Sequence, residues 1–272
     1  MEERIQIETL ERLSFHLFSY LRGLPGFQDL KIDTRPEVTP DEAEQWHTAN
    51  APFVLPQDLM AFLQISDGLS VRWKAESLQT EIIVGSFDLN CLNRIEHIDE
   101  VETLAQQRPS SSSTTASESA FLVPNPAENK TLLDVDLESF PRPEKVAAFI
   151  LERNLKVGDV ALVYELKPDG KTPYSGRDPT IWFRDKSKSW HYVAANFTCY
   201  YRLLVVHLGI LGWQYAFTPQ GLDPLSVQWM RLYCPERLML DTQFRNPATS
   251  NSNETGTRHG MTSVAPNSLL TR

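Results

Sequence analysis

The sequence predicts an α+β protein in which helices at both ends of the chain pack against a mostly antiparallel sheet. Three observations carry this prediction: helical periodicity in the first third, short apolar segments joined by turns up to residue 193, and apolar helices after it. Strands that follow one another through short turns are typical of antiparallel sheets, and helices grouped at the ends of the chain are typical of the α+β class.

Three helices and one strand are predicted in the N-terminal part. Apolar residues recur every three or four positions over residues 3–21, which predicts one amphipathic helix, and residues 27–33 alternate as in a strand. A second helix begins after Thr39, a typical N-cap residue that Pro40 and two acidic residues follow. The third lies within residues 55–68, where Pro56 pre-sets the first turn and Gly68 supplies the left-handed residue that ends the helix.

The rest of the folded part predicts the sheet and the C-terminal helices. Strands are expected over residues 69–74, 81–87, 146–151, 159–166, 180–184 and 190–193, the last two as a hairpin. Residues 197–208 are apolar nearly all round, which predicts a buried helix that Gly209 ends. A final helix begins at Asp223 and Pro224, and Pro235 closes it.

Composition separates this folded part from two polar segments. Residues 105–120 are rich in Ser and Thr, and residues 245–272 form a tail rich in Ser, Asn and Thr. We predict disorder for both, because such segments bury too little to offset their ordering entropy. Residues 1–244 are then expected to form a single domain.

The charge balance limits the partners that the protein can bind. The chain holds 26 Lys and Arg against 35 Asp and Glu, a formal net charge of −9. This balance argues against a nucleic-acid-binding protein, which needs a basic surface, and against docking on anionic lipid. Because no signal peptide or membrane-spanning segment is recognised, a cytoplasmic location is expected.

No motif in the sequence specifies a reaction. Phosphate-binding glycine loops, the Gly-x-Ser-x-Gly motif and metal-binding His or Cys spacings do not occur, and Cys91, Cys199 and Cys234 lie far apart. His207 lies in an apolar helix, where a hydrogen-bonded core histidine is the simpler interpretation. We therefore predict no catalytic, cofactor-binding or metal-binding residue.

Large aromatic residues are concentrated near the C-terminus. Trp213, Tyr215, Phe217, Trp229 and Tyr233 put five rings within 21 residues. They are either the core of the last helices or a partner surface, since Trp and Tyr supply much of the binding energy of interfaces. We predict partner binding for Trp213, Tyr215, Trp229 and Tyr233.

An N-terminal motif resembles the opening of the SUKH superfamily, the fold of yeast cell-wall regulators and bacterial toxin-immunity proteins. The motif consists of Trp46, Leu55, Pro56, Asp58, Leu59, Phe62, Leu63, Asp67 and Gly68. This resemblance implies a SUKH-like sheet with flanking helices and a role in protein binding.

A longer resemblance connects the chain with the second subunits of tubulin polyglutamylase complexes. It covers roughly residues 8–90 and 145–236, and its motifs include Ile181-Trp182-Phe183, Trp190-His191, Tyr200-Tyr201-Arg202 and Trp213-Gln214-Tyr215. It implies a non-catalytic scaffold or adaptor subunit that supports the addition of glutamate side chains to tubulin C-terminal tails. The partners implied are the other subunits, including a separate catalytic ligase subunit, and tubulin indirectly. The location implied is the cytoplasm and its microtubules, the centrosome or the base of the cilium.

Tubulin tails are acidic and would be repelled by an acidic chain, so we expect contacts with partner subunits rather than with the substrate tail.

Two alternatives to a complex subunit remain open. A stand-alone SUKH-type regulator would instead bind one partner through the acidic residues 134–144. An enzyme of an unrecognised type is the third possibility.

Overall fold

A seven-stranded sheet organises the part of the chain that the structure describes, residues 2–77, 80–98 and 145–245 of a computed structural model. Its strands lie in chain order, and each pairs antiparallel with its neighbours. They are β1 (Phe27–Thr34), β2 (Leu69–Ser77), β3 (Thr80–Leu89), β4 (Val146–Asn154), β5 (Gly158–Glu165), β6 (Thr180–Asp185) and β7 (Trp190–Ala194). The predicted α+β class is confirmed. The Ser/Thr-rich residues 105–120 and residues 246–272 of the tail lie outside the described residues, and the limits of the single domain stay a prediction.

Helices precede and follow the sheet, as predicted. The N-terminal part contains α1 (Glu2–Leu13), α2 (Leu17–Arg22), α3 (Pro40–Ala49) and α4 (Gln57–Leu63). The C-terminal part contains α5 (Phe197–Val206), α6 (Pro224–Tyr233) and α7 (Pro235–Arg245). Short 3-10 turns lie at Leu92–Arg94 and Trp213–Phe217. None of the described helices is long and apolar enough to cross a membrane.

The prediction of one continuous helix over residues 3–21 is wrong, because the chain breaks between α1 and α2. Phe15 and His16 adopt left-handed backbone conformations, with φ of 51° and 60°. The Glu11 carboxylate accepts hydrogen bonds from the backbone N–H groups of Phe18 and Ser19, at 2.9 and 2.8 Å. These bonds satisfy donors that the break leaves free at the start of α2. His16 therefore lies exposed in the link between the two helices.

The start of α3 confirms the predicted cap, whereas the role predicted for Gly68 is wrong. Thr39 accepts a hydrogen bond from the Glu42 N–H and donates its own N–H to the Glu42 carboxylate, which forms a capping box. Helix α4 ends at Leu63, before Gly68 is reached. Gly68 has a φ of 82°, and a Cβ there would lie 2.6 Å from the Leu89 carbonyl oxygen. The glycine therefore allows the close approach of the chain entering β2 to the end of β3.

Helix α7 is absent from the prediction, which placed the end of the last helix at Pro235. Helix α6 does end there, but Pro235 also opens α7. Proline is favoured in the first turn of a helix because its missing N–H would have no partner there. The predicted tail, residues 245–272, thus begins at the last residue of α7.

The core lies mainly between the sheet and the helices, with a smaller cluster on strands β4 to β7. The main cluster includes the fully buried rings of Trp73, Phe149, Phe183 and Tyr200. The smaller cluster consists of Ile98, Ala148, Ile150, Ala161, Val163 and Trp190. Strands β3 and β4 share one register pair, Leu89 with Glu152, so this junction is the shortest in the sheet.

Candidate functional site

The four predicted partner-binding residues differ in their exposure. Trp213 is 1% exposed and Tyr233 is 4% exposed, so both rings belong to the core of the chain. Tyr215 and Trp229 are half-buried. The Tyr215 hydroxyl donates a hydrogen bond to the Val157 carbonyl oxygen at 3.0 Å, which ties the ring to the turn between β4 and β5. Partner binding by the four residues stays a prediction. Of the four, the half-buried Trp229 on α6 is the best placed to contact a partner.

Three aromatic rings connect the sheet with α6. Trp73 is fully buried on β2, and its indole N–H donates to the Leu208 carbonyl oxygen at 2.9 Å. The ring of Tyr233 meets that of Trp73 edge to face, with centroids 5.2 Å apart. Trp229 stacks on Tyr233 with an interplanar angle of 7° and a centroid distance of 5.7 Å. The half-buried Trp229 therefore packs on Tyr233, which in turn packs on Trp73 of the sheet.

Exposed apolar side chains surround Trp229. Leu225 and Leu232 are more than half exposed, and their spacing of four and three residues from Trp229 places all three on one side of α6. Tyr20 of α2 is also more than half exposed, and its hydroxyl donates to the Tyr233 carbonyl oxygen at 3.4 Å. We refer to Tyr20, Leu225, Trp229 and Leu232 as the α6 surface. Contiguous exposed apolar side chains of this kind are typical of interaction sites.

A buried carboxyl group lies where β3 meets β4. Glu152 is 2% exposed, and the Tyr200 hydroxyl of α5 donates to its Oε2 at 2.5 Å. The backbone N–H of Asp88 donates to Oε1 at 3.4 Å. Burial raises the pKa of Glu152 to about 7, against the opposing effect of these two hydrogen bonds. Burial and the nearby Glu152 raise the pKa of Tyr200 well above its usual value, so its hydroxyl stays protonated.

A second buried polar cluster connects α5 with α7. The Nδ1 of His207 lies 2.6 Å from the Leu203 carbonyl oxygen, and its Nε2 lies 2.9 Å from Oδ2 of Asp241. Arg237 Nη2 donates to Oδ1 of Asp241 at 2.5 Å. The imidazole stacks on Trp213 with a centroid distance of 4.5 Å. The expected hydrogen-bonded core histidine is confirmed, but its partners were missed because they lie on the unpredicted α7.

Neither buried cluster shows an arrangement that assigns a reaction. Within residues 2–77, 80–98 and 145–245, no three His, Cys, Asp or Glu side chains are grouped so that they could hold a metal ion. Burial raises the pKa of Cys234 to about 12, which keeps its thiol protonated and a poor nucleophile. That the chain has no catalytic, cofactor-binding or metal-binding residue stays a prediction.

The fold and these clusters define an α+β protein with one antiparallel sheet and a C-terminal helical layer that exposes apolar side chains. Over 232 residues the chain is 30% identical to tubulin polyglutamylase complex subunit 2 of Homo sapiens, an alignment that covers 83% of the chain and 70% of the human protein. The proteins of the same name from Rattus norvegicus and Mus musculus are each 29% identical, with 83% of the chain and 72% of the relative covered. The chain belongs to the family of tubulin polyglutamylase complex subunit 2.

No family model and no solved structure matches the chain. The resemblance to the SUKH superfamily therefore remains a proposal.

Proposed function

We propose that this protein is a non-catalytic scaffold or adaptor subunit of a tubulin polyglutamylase complex. The observation that carries the proposal is the 30% identity, over 83% of the chain, to a protein named as a subunit of that complex. In this role the protein supports glutamate addition to tubulin C-terminal tails, while a separate ligase subunit performs the reaction. It acts in the cytoplasm, at microtubules, the centrosome or the base of the cilium, and its sheet and helices form a SUKH-like layer.

The α6 surface is the contact that we propose for another subunit of the complex. Because Leu225 and Leu232 are just over half exposed, covering them in an interface would contribute about 1 kcal/mol for each side chain, roughly half of the value for full burial. Trp229 stacks on Tyr233 before any partner arrives, so little side-chain entropy is lost when it is covered. In this proposal Tyr233 and Trp213 hold α6 and the preceding turn in place from the core.

Affinity purification with mass spectrometry tests both the function and the surface. The tagged chain, purified from its own cells, is expected to recover a tubulin glutamate ligase and the other subunits in near-stoichiometric amounts. The double variant Leu225→Ser/Leu232→Ser is expected to lose at least about tenfold of this recovery, which corresponds to a loss of about 1.4 kcal/mol in binding. Its thermal unfolding midpoint should stay close to that of the wild type, because both side chains are already exposed.

The matched control is Leu155→Ser. Leu155 is 93% exposed between β4 and β5, so the change removes an exposed leucine away from the α6 surface. Full recovery with the double variant would refute the α6 surface as the contact. Absence of the ligase from wild-type purifications would refute the proposal that the chain is a subunit of the complex. Recovery of one unrelated partner would favour the stand-alone SUKH-type regulator. The acidic residues 134–144, on which that alternative rests, lie outside the described residues.

A further inference from the structure

Two neighbouring turns at one end of the sheet carry a concentration of basic side chains. The turn between β4 and β5 and the turn between β6 and β7 meet there, because Gly158 at the start of β5 pairs with Asp185 at the end of β6. Residues 153–159 and 184–190 hold five basic side chains, Arg153, Lys156, Arg184, Lys186 and Lys188, against two carboxylates, Asp159 and Asp185. We refer to the five basic side chains as the basic patch. It is a local excess of positive charge in a chain whose formal net charge is −9.

The two carboxylates are engaged within the fold and leave this excess in place. Asp185 is 5% exposed, and its Oδ1 accepts a hydrogen bond from the Ser189 N–H at 2.9 Å. Asp159 contacts Arg184 through Oδ2 at 2.6 Å, and its Oδ1 lies 3.8 Å from Arg153 Nε. One carboxylate therefore serves two guanidinium groups, so the pair of arginines keeps a net positive charge.

The basic patch combines a positioned guanidinium group with charges that reach into solvent. Arg184 lies over the Trp190 ring, 5.6 Å from its centroid, and its side chain is only 14% exposed. The Arg153 side chain is 51% exposed, so it can still receive a carboxylate, and the three lysines are exposed. A guanidinium group that the fold already holds loses little entropy on binding, and the lysines add charge around it.

Charge and size favour an acidic peptide as the ligand of the basic patch. At physiological salt the Debye length is about 8 Å, so acidic residues elsewhere on the chain are screened and the nearest charges decide. Arg153 on β4 and Arg184 on β6 lie two strand spacings apart, about 10 Å. That width suits a short extended peptide, whereas tight nucleic-acid binding needs a basic surface that follows many phosphates. Arginine and lysine both form charge-assisted hydrogen bonds with carboxylates.

We propose that the basic patch docks an acidic, glutamate-rich peptide, and that within the complex this peptide is the tubulin C-terminal tail. The choice of peptide rests on the proposed function, because membership of the complex brings the chain close to the tail that is modified. It replaces the expectation, drawn from the net charge alone, that the chain avoids the tail. The basic patch lies on the turns of β4 to β7, whereas the α6 surface lies on α2 and α6, so a subunit and the tail bind through different residues.

Fluorescence anisotropy of a labelled synthetic tubulin tail peptide, titrated with the full chain at low and at physiological salt, tests the proposal. The wild type is expected to bind the peptide, and to bind it several times more weakly at the higher salt, because the contacts lie at the surface. The same peptide with glutamine in place of every glutamate should not bind. The variant Lys156→Gln/Lys186→Gln/Lys188→Gln should bind the tail peptide about tenfold more weakly, since three surface ion pairs are lost together.

The matched control removes the same charge at other places. Lys31 lies on β1, at the other edge of the described sheet, and Lys167 and Lys171 lie between β5 and β6, at the opposite end of these strands. The variant Lys31→Gln/Lys167→Gln/Lys171→Gln should bind the tail peptide within about twofold of the wild type. Both variants have the same net charge, so equal losses in the two would mean that only net charge matters and would overturn the proposal.

Three other outcomes would also overturn the proposal. The first is no binding of the tail peptide by the wild type at low salt, and the second is equal affinity for a single-stranded oligothymidylate of similar charge. The third is loss of partner subunits from purifications of the Lys156→Gln/Lys186→Gln/Lys188→Gln variant, which would assign the basic patch to a subunit instead of the tail. Recovery of the ligase without peptide binding refutes only the basic patch, whereas peptide binding without recovery of the ligase refutes only membership of the complex.

Discussion

Replacing Gly85 by alanine is expected to destabilise the protein by about 3 kcal/mol or more, because the new methyl group has no space. A Cβ at this position on β3 would lie 1.9 Å from Trp73 Nε1. The Trp73 ring is fully buried, and its N–H donates to the Leu208 carbonyl oxygen. The ring would have to move, break that hydrogen bond and disturb Tyr233 above it. Equilibrium urea unfolding of the wild type and the variant measures the loss.

Gly23→Ala is the matched control for this change. A Cβ on Gly23 would meet the Tyr20 carbonyl oxygen at 3.4 Å, an ordinary contact, and its φ of −87° is open to alanine. We expect an effect below about 1 kcal/mol.

Because Trp73 supports Tyr233 and Trp229, Gly85→Ala should also reduce the recovery of partner subunits by the chain that stays folded. A Gly85→Ala protein as stable as wild type would show that Trp73 does not pack on this glycine.

The sheet and the buried helix α5 could be predicted because their signals are local. Each strand carries its own apolar segment and is bounded by turn residues, and α3 carries its cap within four residues. Helix α7 could not be predicted in this way, since residues 235–245 are polar enough to resemble the start of the tail. Its position depends on Asp241 and Arg237, which contact a histidine that is 34 residues earlier than Asp241 in the sequence.

The candidate site was only partly predictable, because it also depends on contacts between residues that are distant in the sequence. The density of aromatic residues indicated that the C-terminal third was important, but not which rings face inward. Tyr233 is buried against Trp73 of the distant strand β2, and Trp213 packs on Tyr200 and His207. No local sequence pattern encodes these contacts. Glu152 directly follows an apolar run, so from the sequence alone it resembles a surface residue at the end of a strand. Its partner Tyr200 lies 48 residues later, so the buried pair is visible only in the folded chain.

Replacing Glu152 by glutamine is expected to remove a loss of stability that the wild type shows as the pH rises from about 4.5 to about 8. Burial raises the pKa of Glu152 from 4.5 to about 7, so the folded state binds this proton more tightly than the unfolded chain. The stability from this group is complete below pH 4.5 and is lost as the pH rises through 7. The loss reaches about 3 kcal/mol at most. Urea unfolding at pH 4.5 and pH 8 should show a wild-type decline that the variant lacks.

Glu81→Gln is the control for the removal of a carboxylate. Glu81 is exposed on β3 and pairs with Lys74, so its replacement should leave the decline between pH 4.5 and pH 8 as in the wild type. Tyr200→Phe is expected to act in the opposite direction to Glu152→Gln. It removes the hydroxyl that stabilises the carboxylate, so the ionised Glu152 would be buried with less compensation and the decline would steepen. A decline of equal size between pH 4.5 and pH 8 in Glu152→Gln and in the wild type would refute the proton on the buried Glu152.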